Sequence, residues 1–174
     1  TTAVTSSANP SNFAQSVTFS ATVSATAPAA GTPSGTVTFK DGATTVCGPV
    51  ALVAAAATCA TSTLTVGSHS ITVDYAGDTN YNTSTSPALN QVINKTDTTN
   101  ALAVAPVSPT VFGQSVALTS TVAAVAPGGG VPTGSVTFLD GATSIGSGAL
   151  NGAGVATAST TTLVVGTHSL TANY

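Results

Sequence analysis

The chain contains no tryptophan and no methionine, and its 174 residues include only two basic and five acidic side chains. The charged residues are Lys40 and Lys95 against Asp41, Asp74, Asp78, Asp97 and Asp140. A net charge of −3 with no basic patch gives phosphate-backbone binding no electrostatic footing, so no nucleic-acid partner is expected. No apolar run approaches the roughly eighteen residues of a membrane-spanning helix, so no membrane span is expected. The chain opens at "TTAV" without a methionine, a basic n-region or an apolar h-region. Any signal peptide is therefore expected to lie outside it, and the chain reads as a mature fragment.

What is abundant is threonine, serine, alanine, valine and glycine. Threonine suits the wet face of a strand, because its branched Cβ favours β geometry while its hydroxyl faces water. So simple a composition raises the question of disorder. A hydrophobic content of 42% and a positive mean hydropathy answer it in favour of a packed core. The length suits one large domain or two small ones.

An internal repeat decides between them. "FAQSVTFSATV" from Phe13 returns as "FGQSVALTSTV" from Phe112, and "PSGTVTFKDGAT" from Pro33 returns as "PTGSVTFLDGAT" from Pro132. "TLTVGSHSITVDY" from Thr63 returns as "TLVVGTHSLTANY" from Thr162. The offset is 99 throughout, without a gap, and 31 of the 63 positions from Phe13 to Tyr75 are identical. Two copies of one domain are expected, over residues 1–95 and 96–174.

Within each copy the hydrophobic period is two, as strands require. Val17, Phe19, Ala21 and Val23 alternate with Ser16, Thr18, Ser20 and Thr22, and Ile71, Val73 and Tyr75 alternate with Ser70, Thr72 and Asp74. One apolar face per strand implies antiparallel sheets wet on the other side. Turn signals punctuate the runs at "NPS" (9–11), "AGTPSG" (30–35), "DG" (41–42) and "AGDTN" (76–80). No segment shows a 3.6-residue period. About seven short strands per copy predict an all-β fold of two tandem immunoglobulin-like β-sandwiches, without the Cys–Trp–Cys signature of antibody domains. The polar junction at 94–99 is short, which predicts neighbouring domains set end to end with limited swing.

"NPSNFAQSVTFSATV", "GTPSGTVTFKDG" and "TSTLTVGSHSITVDYAGDTNYNTSTS", with their second copies, resemble bacterial Ig-like repeats. The resemblance covers nearly the whole chain and is most specific in the Gly-x-His-x-Ile/Leu-Thr and Gly-Asp-x-Asn-Tyr phrases. It implies β-sandwich modules in an extracellular stalk, fibre or adhesin, without catalysis. Copy two departs from the pattern in lacking the Gly-Asp-x-Asn-Tyr segment. Two full periods of 99 need 198 residues, 24 beyond Tyr174, and in copy one those residues hold the last strand, around Ser84 to Ile93. The second sandwich is therefore expected to lack its final strand. Either the chain continues into more of the same, the favoured reading, or a neighbouring chain supplies the strand.

Cys47 and Cys59 flank "GPVALVAAAAT". With Val53 at the tip of a hairpin, the two face each other across it, and a cross-strand disulfide is expected. The alternative is a pair of buried free thiols in a cytosolic protein; C-x11-C alone fits no zinc site. Gly146 and Ala158 stand at these positions in copy two, so the bridge reads as an optional staple. His69 and His168 recur, and each is expected to hydrogen-bond a neighbouring loop. A catalytic pairing of His69 with Ser68 or Asp74 fails because Asp74 falls on the opposite strand face and no nucleophile elbow is present. No recurring acid, base or nucleophile constellation is expected, hence no catalytic residue and no cofactor.

Asp78, Asn80 and Asp74 supply too few oxygens for calcium, and a turn held by Asx hydrogen bonds is expected instead of a metal site. Lys40 and Lys95 do not recur, which argues against an isopeptide cross-link. Asn82-Thr83-Ser84 and Asn94-Lys95-Thr96 match the glycosylation sequon, incidental in a bacterial source. Tyr75, Tyr81 and Tyr174 read as packing residues with a polar tip. The implied partners are neighbouring Ig-like repeats of the same or adjacent chains. In an adhesive or carbohydrate-binding reading, the loops would meet a surface glycan or host ligand.

Overall fold

Threonine or serine alternating with valine, isoleucine or phenylalanine gives each run one face that repels water and one that tolerates it, and the fold follows from hiding the first. The computed structural model describes all 174 residues as strands, turns and loops, with no helix. The chain separates into two compact units, Thr1–Lys95 and Thr96–Tyr174.

Unit 1 comprises β1 (Thr2–Ser6), β2 (Ser11–Asn12), β3 (Val17–Val23), β4 (Thr36–Asp41), β5 (Thr44–Ala51), β6 (Ala56–Thr61), β7 (Gly67–Tyr75), β8 (Ser84–Thr85) and β9 (Leu89–Asn94). They form a three-stranded sheet in the order β1-β3-β6 and a second in the order β2-β9-β7-β4-β5, with β8 added to β7. All pairings are antiparallel except β2 with β9, which is parallel. Between the sheets lie Val17, Phe19, Ala21 and Val23 of β3, Val37 and Phe39 of β4, and Ile71, Val73 and Tyr75 of β7, all buried. Fully burying a side chain such as Phe19 or Phe39 stabilises by about 1.5–3 kcal/mol.

The expected final strand is broken in two. Ser86, Pro87 and Ala88 separate β8 from β9, since proline has no N–H to continue a ladder. Ser86 still ties the gap to β7, its Oγ accepting from the Val73 N–H at 3.0 Å.

The cysteines are bonded, with Cα atoms 6.0 Å apart, but not across a hairpin ladder. The expected cross-strand geometry is corrected here. Cys47 stands opposite Phe39 in the β4–β5 pair, whereas Cys59 stands opposite Phe19 in the β3–β6 pair. Strands β5 and β6 thus belong to different sheets, because each spends its ladder on another neighbour, and the bond staples sheet to sheet. The β4–β5 register shifts on either side of Phe39, the kind of irregularity that re-aims a side chain.

The reversal between these strands is a tight turn. Val53 and Ala56 exchange backbone hydrogen bonds at 2.8 and 3.0 Å, leaving Ala54 and Ala55 at φ 51° and 61°. An L-residue in this left-handed region carries a cost of about 1–2 kcal/mol. Copy two has Gly154, at φ 73°, where copy one has Ala55. Ala55→Gly is therefore expected to stabilise unit 1 by about 0.5–1 kcal/mol despite glycine's looser unfolded chain. A denaturant midpoint that falls on this substitution would refute the strain.

Unit 2 comprises β10 (Thr98–Ala105), β11 (Val116–Ala124), β12 (Ser135–Asp140), β13 (Thr143–Ala149), β14 (Val155–Thr160) and β15 (Leu170–Asn173). Its sheets run β10-β11-β14 and β13-β12-β15, around Val116, Leu118, Val122, Val136, Phe138 and Ala156. No counterpart of β9 is present, and β15 pairs with β12 alone. Where β7 holds nine residues, β15 holds four, and Gly166–Ser169 form no strand. Ile71 and Tyr75 are 0% and 2% exposed, but Leu170 is only half-buried and Tyr174 is 50% exposed.

Candidate functional site

The recurring polar feature is a histidine clamped between two acceptors. In unit 1, the Asp41-Gly42 turn ends β4 and places a carboxylate beside the start of β7. His69 Nδ1 lies 2.7 Å from Asp41 Oδ2, and Nε2 lies 2.8 Å from the Thr65 carbonyl. The other Asp41 oxygen accepts from the Ser70 N–H at 3.1 Å. In unit 2, His168 repeats the arrangement, with Asp140 Oδ2 at 2.6 Å and the Val164 carbonyl at 2.8 Å. The sequence reading expected no recurring acid–base pair, and the structure corrects this. The partner was hidden because Asp41 lies 28 residues upstream, in a dipeptide legible only as a turn.

The chemistry of the pair is nevertheless that of a brace. A general-base histidine needs one nitrogen free to take a proton. Here both ring nitrogens face oxygens that can only accept, so both donate, and the imidazolium is the form that satisfies the site. Burial disfavours charge at His69, but the Thr65 carbonyl and the Asp41 carboxylate outweigh it and raise the pKa above the ordinary value. At His168 the Val164 carbonyl and Asp140 raise it against a smaller burial effect.

The sign of the linkage follows. A folded pKa above the unfolded value of about 6.5 contributes stability that is complete below that value and is lost as pH rises through the folded pKa. Both units are thus expected to weaken as pH climbs from below 6.5 through the histidine titration. NMR titration should give both rings pKa values above 6.5; a value at or below it for either would sink the clamp.

The remaining polar residues of interest go their separate ways. Asp78 Oδ1 accepts from the Asn80 and Tyr81 N–H groups at 2.8 and 2.9 Å, and Oδ2 accepts from the Ser34 hydroxyl and N–H at 2.6 and 2.8 Å. These donors, Ser34 foremost, hold its carboxyl well below the usual carboxylate range. An oxygen pair so occupied secures the 76–84 loop and offers a cation little. Lys40 Nζ lies 2.7 Å from Asp74, whose pKa it lowers with help from the Thr85 hydroxyl. So exposed a pair contributes about 0–1 kcal/mol. Lys95 follows β9 and is exposed, as are the sequon asparagines Asn82 and Asn94. No three His, Cys, Asp or Glu side chains gather as a metal site.

The tyrosines brace loops: Tyr81 donates to the Ala30 carbonyl and Tyr174 to the Thr133 carbonyl, both at 2.8 Å. Tyr75 differs: its hydroxyl is buried, and burial together with the nearby Asp78 carboxylate raises its pKa above the ordinary value. It lies at a cleft of about 390 Å³ shared with Thr26, Pro33, Asn80 and Tyr81.

One residue escaped the sequence reading altogether. Gln91, in the middle of β9, is 0% exposed. Its Oε1 accepts from the Ser6 hydroxyl at 2.6 Å, and its Nε2 donates to the Ala8 carbonyl at 2.9 Å and the Ser11 hydroxyl at 3.2 Å. The available signal was parity, since Gln91 shares the strand face of Ile93 and must be buried wherever Ile93 is.

Two antiparallel layers, with three strands facing the β2-β9-β7-β4-β5 sheet and an inter-sheet staple, define an immunoglobulin-like sandwich. The chain belongs to the bacterial Ig-like domain family (group 3), whose model matches residues 4–94 and again residues 102–174. Domains of this kind are modules of surface proteins and are in general non-catalytic. No curated protein matches the chain. A disulfide is compatible with that setting, and no helix is long and apolar enough to cross a membrane.

Proposed function

We propose that the chain is a non-catalytic structural module of an extracellular stalk, fibre or filament. The observation that carries this reading is which features recur at the 99-residue offset. The core, the turns and the histidine clamp return in copy two, whereas Lys40, Asp74 and the cysteines become Leu139, Asn173, Gly146 and Ala158. A spacer needs its framework repeated and is indifferent to its surface chemistry. Arrays of one, two and four repeats measured by small-angle scattering should lengthen by a constant increment per repeat. A length that saturates would overturn the reading.

One observation favours a second reading, an adhesive or carbohydrate-binding module: Tyr75 and Tyr81 together line the cleft of unit 1. Strong glycan-array binding that disappears with Tyr81→Ala would establish it in place of the spacer.

A further inference from the structure

Three turn dipeptides set a side-chain carbonyl carbon beside a glycine nitrogen: Asp41-Gly42, Asp140-Gly141 and Asn151-Gly152. Asn151 is the only one of nine asparagines followed by glycine. In such a pair the backbone nitrogen can attack the side-chain carbon and close a five-membered imide, because glycine has no Cβ to obstruct it and its backbone turns freely.

The structure separates the three pairs. The Gly42 and Gly141 N–H groups donate to the Ser70 and Ser169 carbonyls, both at 2.9 Å. Asp41 and Asp140 each hold a histidine through Oδ2, and a carboxylate is a poor electrophile. The third pair has neither restraint. Asn151 and Gly152 are both exposed between β13 and β14, and the Gly152 N–H makes no backbone hydrogen bond. A Cβ on Gly152 would meet nothing within 4 Å. Meanwhile Asn151 Oδ1 accepts from the Ala153 N–H at 2.9 Å and the Val155 N–H at 3.1 Å. Those two preset donors sit on the oxygen that gains negative charge when Cγ is attacked, which favours the tetrahedral adduct. In unit 1, which has its closing strand, Val53 takes the place of Gly152 and is 77% exposed. This turn therefore stands at the surface of a complete sandwich as well.

We propose that Asn151 is a site of spontaneous deamidation in the folded chain, specific to unit 2. The Gly152 nitrogen loses its proton to hydroxide and bonds to Asn151 Cγ. The Cγ–Nδ2 bond breaks, and Nδ2 takes a proton from water and departs as ammonia. Water then opens the imide at either carbonyl, so asparagine and water become aspartate or isoaspartate and ammonia. Aspartate keeps the turn, since its carboxylate still accepts from Ala153 and Val155, and adds one negative charge. Isoaspartate reroutes the main chain through Cβ and Cγ, which detaches the carbonyl that accepts from the Gly154 N–H at 2.9 Å. That product loosens the β13–β14 connection. Unit 1 carries Leu52-Val53 there and has no such reaction at this turn.

The test incubates the 174-residue chain at mildly alkaline pH beside a synthetic Ser147–Ala156 peptide, which carries the same pair without the fold. Trypsin cleavage after Lys95 then separates residues 96–174 for mass measurement. A gain of about one dalton confined to 96–174 is expected, with isoaspartate detected by enzymatic methylation. Gly152→Val places the unit 1 residue in open space and should abolish the gain over the same period. A gain on residues 1–95, a Gly152→Val chain that converts as fast, or a folded chain left unconverted when the peptide has reacted would each overturn the proposal.

Discussion

Replacing both Cys47 and Cys59 by alanine is expected to lower the melting temperature of unit 1 by roughly 12–24 °C and to leave the transition of unit 2 in place. The bond closes a 12-residue separation, worth about 3 kcal/mol in the chain-entropy account, and each kcal/mol moves a domain of this size by roughly 4–8 °C. Because the bond joins the two sheets, its loss leaves β5 and β6 tied across the layers only by the Val53–Ala56 turn and by packing. Calorimetry with and without a reductant checks this in the unaltered chain. An unmoved unit 1 transition after verified reduction would show the staple to be idle.

The converse change is instructive. A Cβ placed on Gly146 stands 3.1 Å from the Ala158 Cβ, so the positions equivalent to the cysteines already face each other. Gly146→Cys with Ala158→Cys should bond on oxidation, after a shift of a few tenths of an ångström to reach the usual Cβ separation of about 3.5–4.5 Å.

The second large effect belongs to Gln91. Gln91→Leu keeps the volume but leaves the buried Ser11 hydroxyl without its Gln91 partner, and a buried polar group left unmade costs about 1–3 kcal/mol. The half-buried Ser6 hydroxyl and Ala8 carbonyl keep the 3.1 Å bond between them. A loss of about 1–3 kcal/mol is expected, read as a lower urea midpoint with an unchanged slope. Its outward neighbour supplies the control: Val92→Thr should stay within about 0.5 kcal/mol. Equal midpoints for the two variants would show that the network contributes nothing.

Much of the architecture was legible because it rests on period-two patterning. The alternation in "VTFSATV" and "ITVDY" predicts β3 and β7, whose inward residues are those the core contains. What failed to show was pairing at long range. Cys47 and Cys59 are symmetric about Val53, which suggests a ladder, but the partners of β5 and β6 are β4 and β3, and local spacing carries no information about which sheet a strand joins. His69 was legible as a hydrogen-bonding residue, whereas Asp41 was not legible as its partner, since the contact depends on how the β4 turn meets β7. Gln91 was hidden by its own chemistry: an amide in a strand reads as a solvent-facing residue until the parity of its neighbours is taken into account.

The parallel pairing of β2 with β9 has a mechanical meaning. Ser11 pairs with Ile93, the Phe13 N–H donates to the Asn94 carbonyl at 2.8 Å, and the Asn9 side chain extends the ladder by donating to the Asn90 carbonyl and accepting from the Val92 N–H. Tension applied to the two ends of unit 1 pulls these neighbouring strands in opposite directions along their length. The bonds are then sheared together, whereas an antiparallel hairpin would unzip one bond at a time. Asn9→Ala should lower the peak force in single-molecule pulling by more than its effect on equilibrium stability implies, and a proportionate drop would contradict the shear geometry. A module so arranged is strongest when pulled along the line that joins its two ends.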